Sequence, residues 1–461
     1  MLLKHIGGDF TRYNVTMNST HLINVDTIIE ARWLCPVVPN HTVLEYQSVI
    51  IQAGKITDIC ATDLARAKYC SNEVVQLNHQ VLIPGLINLH THAAMNLMRG
   101  LADDLPLMPW LQQHIWPAEQ KLVSPSFVRD GTLLACAEML RGGVTCFNDM
   151  YFYPESAAAA ANQAGMRANL GLVIIEFPSA YANDADDYLQ KGFAAHDSWR
   201  NNPLITSSIA PHAPYTVSNK TFESVVTYAE QLGLSVHTHL HETQDEISQS
   251  VATFGMRPIQ RLADLGLLGP NLIAAHCVHL LKHEIDLLAE HGCYVAHCPT
   301  SNLKLASGIA PVAQLLAQGV TVGLGTDGAA SNNRLDLFAE MRLSALLAKG
   351  STGNAAALPA HQALAMATIH AAQALGLDEK IGSIEIGKFA DLAAVNLSDF
   401  NVNPCYDPIS HLVYVCGREH VTHTWVAGEL RYSLGAFANI EPNELKEIMS
   451  TWQPKLRQYK R

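Results

Sequence analysis

The sequence predicts an α/β fold, a (β/α)8 TIM barrel carrying a small β-domain assembled from both ends of the chain. Two observations carry this. Between Leu86 and Asp327, eight short apolar runs alternate with Ala- and Leu-rich amphipathic stretches, and eight parallel strands close a barrel. On either side the texture changes to alternating β-type runs, as in TVLEYQSVIIQAGKITDI and HVTHTWVAGELRYS. Each flank alone has too few strands to bury a face, so the two flanks are expected to combine.

In chain order, residues 1–16 read as an N-terminal extension, and Met17 is an alternative start. Residues 17–84 and 380–435 form the β-domain, in short runs broken by Gly, Asn and Pro. The barrel occupies 85–379, with strands expected at Leu86–His92, Val144–Met150, Ala168–Ile174, Ile205–His212, Ser235–Glu242, Leu272–Val278, Tyr294–Pro299 and Val320–Asp327. Helices are expected at Pro125–Arg141, at Ser218–Leu232 with Ser218 as N-cap, and at Leu335–Leu347. The tail at 436–461 reads as a terminal helix from EPNELKEI.

Lys plus Arg number 30 against 42 Asp plus Glu, a net charge of −12, which disfavours a nucleic-acid or anionic-membrane partner. No run is long and apolar enough to span a bilayer, and the N-terminus lacks the apolar core of a secretory signal. Ten cysteines scattered through apolar runs indicate reduced thiols and a cytoplasmic location. The 22 histidines are more informative, through their placement.

Parallel barrels carry their active sites at the C-terminal strand ends. There the sequence places His90 and His92, His212, His239 and Glu242, His276, His297, and Asp327. His90 and His92 are two residues apart on a strand and project to one side, a metal clamp, although an isolated pair can arise by chance in a His-rich chain. His239 supplies a third imidazole and Asp327 a carboxylate; His237 and His241 share the parity of His239 and remain alternatives. His239 is preferred because it leaves Glu242 nearby as a general acid/base, against a plain helix-start carboxylate. Three nitrogens and one carboxylate suit a single Zn²⁺ per subunit, and iron and manganese fit the same donors. His276 is read against a core histidine, and His297 as structural. The fourth strand, ITSSIAPHAPY, has no Lys to bridge a second metal. Met95, Met98 and Met108 read as core or pocket lining.

PGLINLHTH, HTHLHET, IAAHCVHL, HCPTSNLKLASGIAPV and GLGTDGAASNN, in this order, resemble the amidohydrolase superfamily, and most closely its 5-methylthioadenosine/S-adenosylhomocysteine deaminases. The resemblance implies a distorted barrel with a flanking β-sandwich and zinc held by His90, His92, His239 and Asp327. It also implies catalytic roles for Glu242, His276 and Asp327, with Glu119 and His212 at substrate-binding positions and Glu242 and Asp327 touching the substrate as well. Trp110 either walls the substrate pocket or packs on the barrel rim. The implied reaction is hydrolytic deamination of an adenine nucleoside to the inosine-type product and ammonia.

One departure bears on substrate. Members that take S-adenosylhomocysteine are expected to pair its charged tail with arginines in or after the third strand, yet Ala168–Ala182 contains none and Arg167 lies at the wrong end. The neutral methylthio nucleoside is therefore expected to be preferred, with S-adenosylhomocysteine weaker or rejected and adenosine left open as a further substrate. Deamination or dechlorination of another heterocycle (guanine, an oxidised purine, a triazine) is the alternative. A non-catalytic scaffold is more remote, because such proteins lose the ligands retained here. Homo-oligomerisation is left open.

Overall fold

The computed structural model describes residues 22–460. The expected extension at 1–16 and the alternative start at Met17 lie outside the described residues. Eight strands build the barrel: β1 (Leu86–Thr91), β2 (Val144–Tyr151), β3 (Arg167–Ile174), β4 (Ile205–Pro211), β5 (Ser235–Leu240), β6 (Leu272–His276), β7 (Tyr294–His297) and β8 (Thr321–Leu324). Each pairs in parallel with its sequence neighbour. All residues of β2 and β3 are buried, as strands covered on both faces require. The β1–β2 register slips at Leu86/Ile87 and again between Asn88 and Thr91, which distorts the barrel at its first strand.

Closure between β8 and β1 is made mainly by the residues that follow β8. The Asp327 amide donates to the His90 carbonyl at 2.9 Å. The Thr326 amide donates to Asn88 Oδ1 at 2.9 Å, and Asn88 Nδ2 donates to Thr326 Oγ1 at 2.7 Å. A Cβ on Gly325 would stand 2.8 Å from the His90 backbone nitrogen, so glycine is required where the two segments meet.

Several strands end earlier than the sequence suggests. β5, β6 and β8 stop before Glu242, Val278 and Asp327 because the chain turns into left-handed backbone at His241 (φ 54°), His276 (φ 72°) and Asp327 (φ 62°). β7 stops before Pro299, which opens the helix Pro299–Lys304. The helices Pro125–Arg141 and Asn219–Leu232 form where expected, and Ser218 Oγ accepts the Thr221 amide at 3.2 Å. The helix expected at Leu335–Leu347 instead spans Leu337–Thr352, because the Asp336 carboxylate caps the amides of Phe338 and Ala339. The terminal helix Pro442–Leu456 stacks Trp452 edge-on against Phe127, and Trp452 Nε1 donates to Asp130 at 2.9 Å. Among the described residues, no helix is long and apolar enough to cross a membrane. All ten cysteines are free thiols.

The flanks combine in one continuous eight-stranded sheet, ordered Ala436–Phe437, Glu429–Ser433, Val421–Val426, Leu392–Asn396, Glu73–Pro84, Thr27–Leu34, Leu44–Gln52, Lys55–Ala61. The join is the antiparallel pairing of Leu392–Asn396 with Glu73–Pro84. Thr27–Leu34 pairs in parallel with Glu73–Pro84, so the chain must cross over, and the helix Thr62–Lys68 forms part of that crossover. Ile29, Leu34, Ile51, Leu82 and Trp425 fill the core of this sheet.

Arg167 explains its own position. At the foot of β3 its guanidinium donates to Asp391 through Nε (2.7 Å) and Nη2 (3.1 Å), in a pair whose side chains are 7% and 1% exposed. Asp391 Oδ1 also accepts the Ala427 amide at 2.8 Å, so one carboxylate ties the barrel to the flanking sheet. Replacing Asp391 with Ala leaves a buried cation unpaired, and a destabilisation of about 3–5 kcal/mol is expected. A urea unfolding midpoint equal to that of the parent protein would refute this.

Candidate active site

The C-terminal ends of the strands converge on a cavity of about 380 Å³. His92, His212, His239, Glu242, His276 and Asp327 line it, joined by Glu119 and Trp110 from the long segment after β1. That segment is helical from Leu107 to Leu122, with a π-helical turn at Leu111–Ile115. His90 lies beneath the cavity, fully buried.

Four imidazoles are oriented alike. His92 Nδ1 lies 2.5 Å from the Met150 carbonyl and His239 Nδ1 lies 2.7 Å from the His212 carbonyl. His276 Nδ1 lies 2.8 Å from Asn302 Oδ1. An amide or carbonyl oxygen can only accept, so each of these Nδ1 atoms carries a proton, and in the neutral ring Nε2 then presents a lone pair. His90 Nδ1 faces His237 Nε2 at 2.9 Å.

The Nε2 atoms meet the Asp327 carboxylate. Asp327 Oδ1 is 3.3 Å from His92 Nε2 and 3.6 Å from His90 Nε2, and His239 Nε2 is 3.3 Å from His92 Nε2. Such separations suit ligands each about 2.0–2.2 Å from a shared ion. His90 Nε2 is buried without a hydrogen-bond partner, a vacancy in bonding that a metal would satisfy. His90, His92 and Asp327 form one triad able to hold an ion; His90, His239 and His276 form an overlapping one.

Electrostatics favour the neutral form of His90 and His239. Burial pushes His90 down to about 4 and His239 well below the usual imidazole range, keeping both neutral at pH 7. Burial opposes ionisation of Asp327, but the facing histidines, His90 foremost, outweigh it and hold its pKa well below the carboxylate range. Burial raises Glu242, against the pull of His276. His276 itself is raised, because the Glu242 and Asp327 carboxylates outweigh its burial. His276 Nε2 lies 3.8 Å from Glu242 Oε2.

Glu119 accepts from the Tyr151 hydroxyl at 2.7 Å, and burial pushes it up to about 7. His212 rests its ring 4.8 Å from that of His239. Trp110 is buried in the cavity wall rather than on an outer rim. His297 is buried at the end of β7 and does not line the cavity; Met95 does line it. Among the described residues lining the cavity there is no lysine or arginine.

Several supporting residues escaped the sequence reading. Ser301 Oγ donates to Asp327 Oδ2 at 2.6 Å. Glu246 accepts the amides of His241 (2.9 Å) and Glu242 (2.8 Å), pinning the turn that presents Glu242. Thr243-x-x-Glu246 is a capping-box pattern visible in the sequence, and Thr243 Oγ1 does accept the Glu246 amide at 3.2 Å. Asn148 Nδ2 lies 3.2 Å from His237 Nδ1 and accompanies the His90 contact across the barrel interior, a relation between non-adjacent strands that one-dimensional spacing does not encode.

A parallel barrel whose mouth gathers imidazoles, an ionised aspartate and a raised glutamate around a cavity is built for metal-assisted hydrolysis. The chain belongs to the amidohydrolase family, whose model matches residues 81–431. It is 47% identical to a 5-methylthioadenosine/S-adenosylhomocysteine deaminase of Teredinibacter turnerae, over 95% of this chain and 99% of the relative. It is 43% identical to a 5′-deoxyadenosine deaminase of Methanothrix thermoacetophila, over 82% of this chain and 88% of the relative. The crystal structure of an adenosine deaminase from Xanthomonas campestris with bound zinc superposes with a TM-score of 0.94 at 46% identity, covering 95% of this chain and 100% of that one.

Protein prepared without chelator is expected to carry about one divalent ion per chain, and His92→Ala to lower metal affinity by at least ~10-fold. Metal analysis after dialysis against graded chelator reads this; equal retention by both proteins would remove His92 from the ligand set.

Proposed function

We propose that this protein is a zinc-dependent deaminase of adenine nucleosides, converting 5′-methylthioadenosine to the inosine-type product and ammonia. The observation that carries the reading is the union, in one cavity, of the His/Asp cluster, the raised Glu242 and a carboxylate at Glu119. Its similarity to the Teredinibacter and Xanthomonas deaminases supports the same reaction.

His90, His92, His239 and Asp327 would hold the zinc, with His276 kept for catalysis by its pairing with Glu242. When bound, zinc supplies Lewis acidity that brings the pKa of water toward about 7. His276 and Asp327 orient the attacking water toward C6 of the adenine ring. Glu242, whose pKa burial raises, is placed to give a proton to the adjacent ring nitrogen, which makes C6 electrophilic. The water adds through its oxygen to C6 and passes one proton to Asp327, which returns it to the amino group; as the C6–N bond breaks and ammonia leaves, the remaining hydroxyl proton goes back to Glu242 and C6 keeps a carbonyl. Glu119 accepts hydrogen bonds from the ribose hydroxyls, His212 and Trp110 flank the base, and the π-helical turn sets the reach of that segment.

A cavity with three carboxylates and no lysine or arginine among its described lining disfavours the carboxylate of S-adenosylhomocysteine. The other-heterocycle reading is not favoured: the triazine-hydrolase likeness, at 22% identity, concerns fold alone.

The test is ammonia release from 5′-methylthioadenosine, S-adenosylhomocysteine, adenosine and guanine by zinc-loaded protein. The expected kcat/KM for methylthioadenosine exceeds that for S-adenosylhomocysteine by ~10-fold or more, which is about 1.4 kcal/mol of discrimination. Glu242→Gln should lower kcat at least ~100-fold. Activity confined to guanine would overturn the reading. A pH dependence follows from Glu119. Its acceptor form is lost as pH falls through about 7, so KM for the nucleoside should rise below that pH and the rise should vanish in Glu119→Gln. A flat KM across that range would remove Glu119 from the ribose site.

A further inference from the structure

We infer that Trp116 and Phe177 form an aromatic clamp at the cavity mouth that receives the 5′-substituent and selects for a small apolar one; this rests on the nucleoside reading above. A line of contacts orders the cavity from floor to mouth. The His92 ring lies 6.4 Å from the Tyr151 ring, and the Tyr151 hydroxyl donates to Glu119 at 2.7 Å. Trp116 precedes Glu119 by three residues on the helix Trp116–Leu122 and therefore shares its face. The Trp116 ring meets Phe177 edge-to-face, 6.2 Å between centroids and 63° between planes. Phe177 is 43% exposed whereas the His92 side chain is 15% exposed, so the line runs outward.

A nucleoside laid along this line has one orientation that satisfies both ends. C6 of the base belongs at the His/Asp cluster and the ribose diol at Glu119. C5′ lies on the far side of the ribose from the base, and so faces the aromatic pair. The two rings come from different segments, one after β1 and one after β3, and with Ile175 and Pro178 they give the cavity mouth an apolar slot, with no lysine or arginine among the described lining residues. A thioether fits such a slot, since sulfur packs favourably against ring edges at about 5 Å. The loop after β3 presents Phe177, Pro178, Ser179 and Ala180 to the cavity, so the carboxylate of a zwitterionic tail finds no cation there.

The experiment compares kcat/KM for 5′-methylthioadenosine, adenosine and S-adenosylhomocysteine in the parent protein, Phe177→Ala, Trp116→Ala and Phe177→Arg. The methylthioadenosine/adenosine ratio is expected to fall about tenfold in each Ala variant, the scale of burying one to two methylene-sized groups. In Phe177→Arg the S-adenosylhomocysteine/methylthioadenosine ratio is expected to rise at least ~10-fold. Ratios within one preparation are insensitive to the fraction of folded protein. The half-exposed Phe177 serves as the informative position if Trp116→Ala does not fold. Ratios unchanged in both Phe177 variants, with the parent active on methylthioadenosine, would overturn the clamp alone. A parent inactive on every adenine nucleoside would overturn the deaminase reading and the clamp with it.

Discussion

The hydrogen bond from the Asp327 amide to the His90 carbonyl does two things at once. It helps close the barrel between its last and first strands, and it brings the Asp327 carboxylate to the first-strand histidines. Because the seam is made at these residues, the site cannot be assembled without closing the fold. Gly325 is the corresponding steric condition, since any side chain there would collide with the His90 backbone. The left-handed backbone at His241, His276 and Asp327 fits the same picture: strained turns at three strand ends aim side chains inward, where a straight continuation would carry them past the mouth.

Burying so many titratable groups together is tolerable only if few of them are charged. Burial alone would also protonate the carboxylate, leaving a neutral and chemically idle pocket. The structure avoids this by concentrating donors on Asp327. Ser301 Oγ and the Gly328 amide donate to it at 2.6 and 2.7 Å, and two imidazoles face it. Glu242 accepts no comparable set of bonds and stays raised, although Glu246 fixes its backbone. Two carboxylates in one cavity are thus driven in opposite directions, Glu242 upward by burial and Asp327 downward by the histidines that face it, the separation that acid and base roles require.

Much of this was legible in the sequence because strand ends carry one-dimensional signals. Apolar runs ending in His or Asp locate both barrel strands and site residues, and His90-Thr91-His92 fixes its own geometry through strand alternation. The helix at Pro125–Arg141 was readable from its length, its Ser-Pro start and its apolar spacing. What spacing could not supply were relations between distant segments. Nothing local to Asn148 or His237 announces that they meet across the barrel, and nothing local to Arg167 announces Asp391. Tyr151 lies one residue past the strand expected at Val144–Met150, and its hydroxyl matters only because a helix some 30 residues earlier brings Glu119 to it. The exact strand ends were overrun for a related reason, since the turns at His241, His276 and Asp327 are imposed by the seam and by neighbouring loops rather than by glycine.

The cavity is a gradient rather than a uniform pocket. Its floor holds the ionised and imidazole groups, its middle the single Tyr151–Glu119 hydrogen bond, and its mouth the aromatic rings of Trp116 and Phe177. Such a gradient reads a ligand in sections: charge and proton transfer below, hydroxyl recognition at half depth, shape and apolarity above. Because the mouth residues sit on the loops after β1 and β3 while the floor residues sit on strand ends locked by the seam, the upper section can change without disturbing the lower. Substrate preference and chemistry are thereby separated along one axis, and the outermost side chains, which contribute least to the core, decide which nucleoside enters.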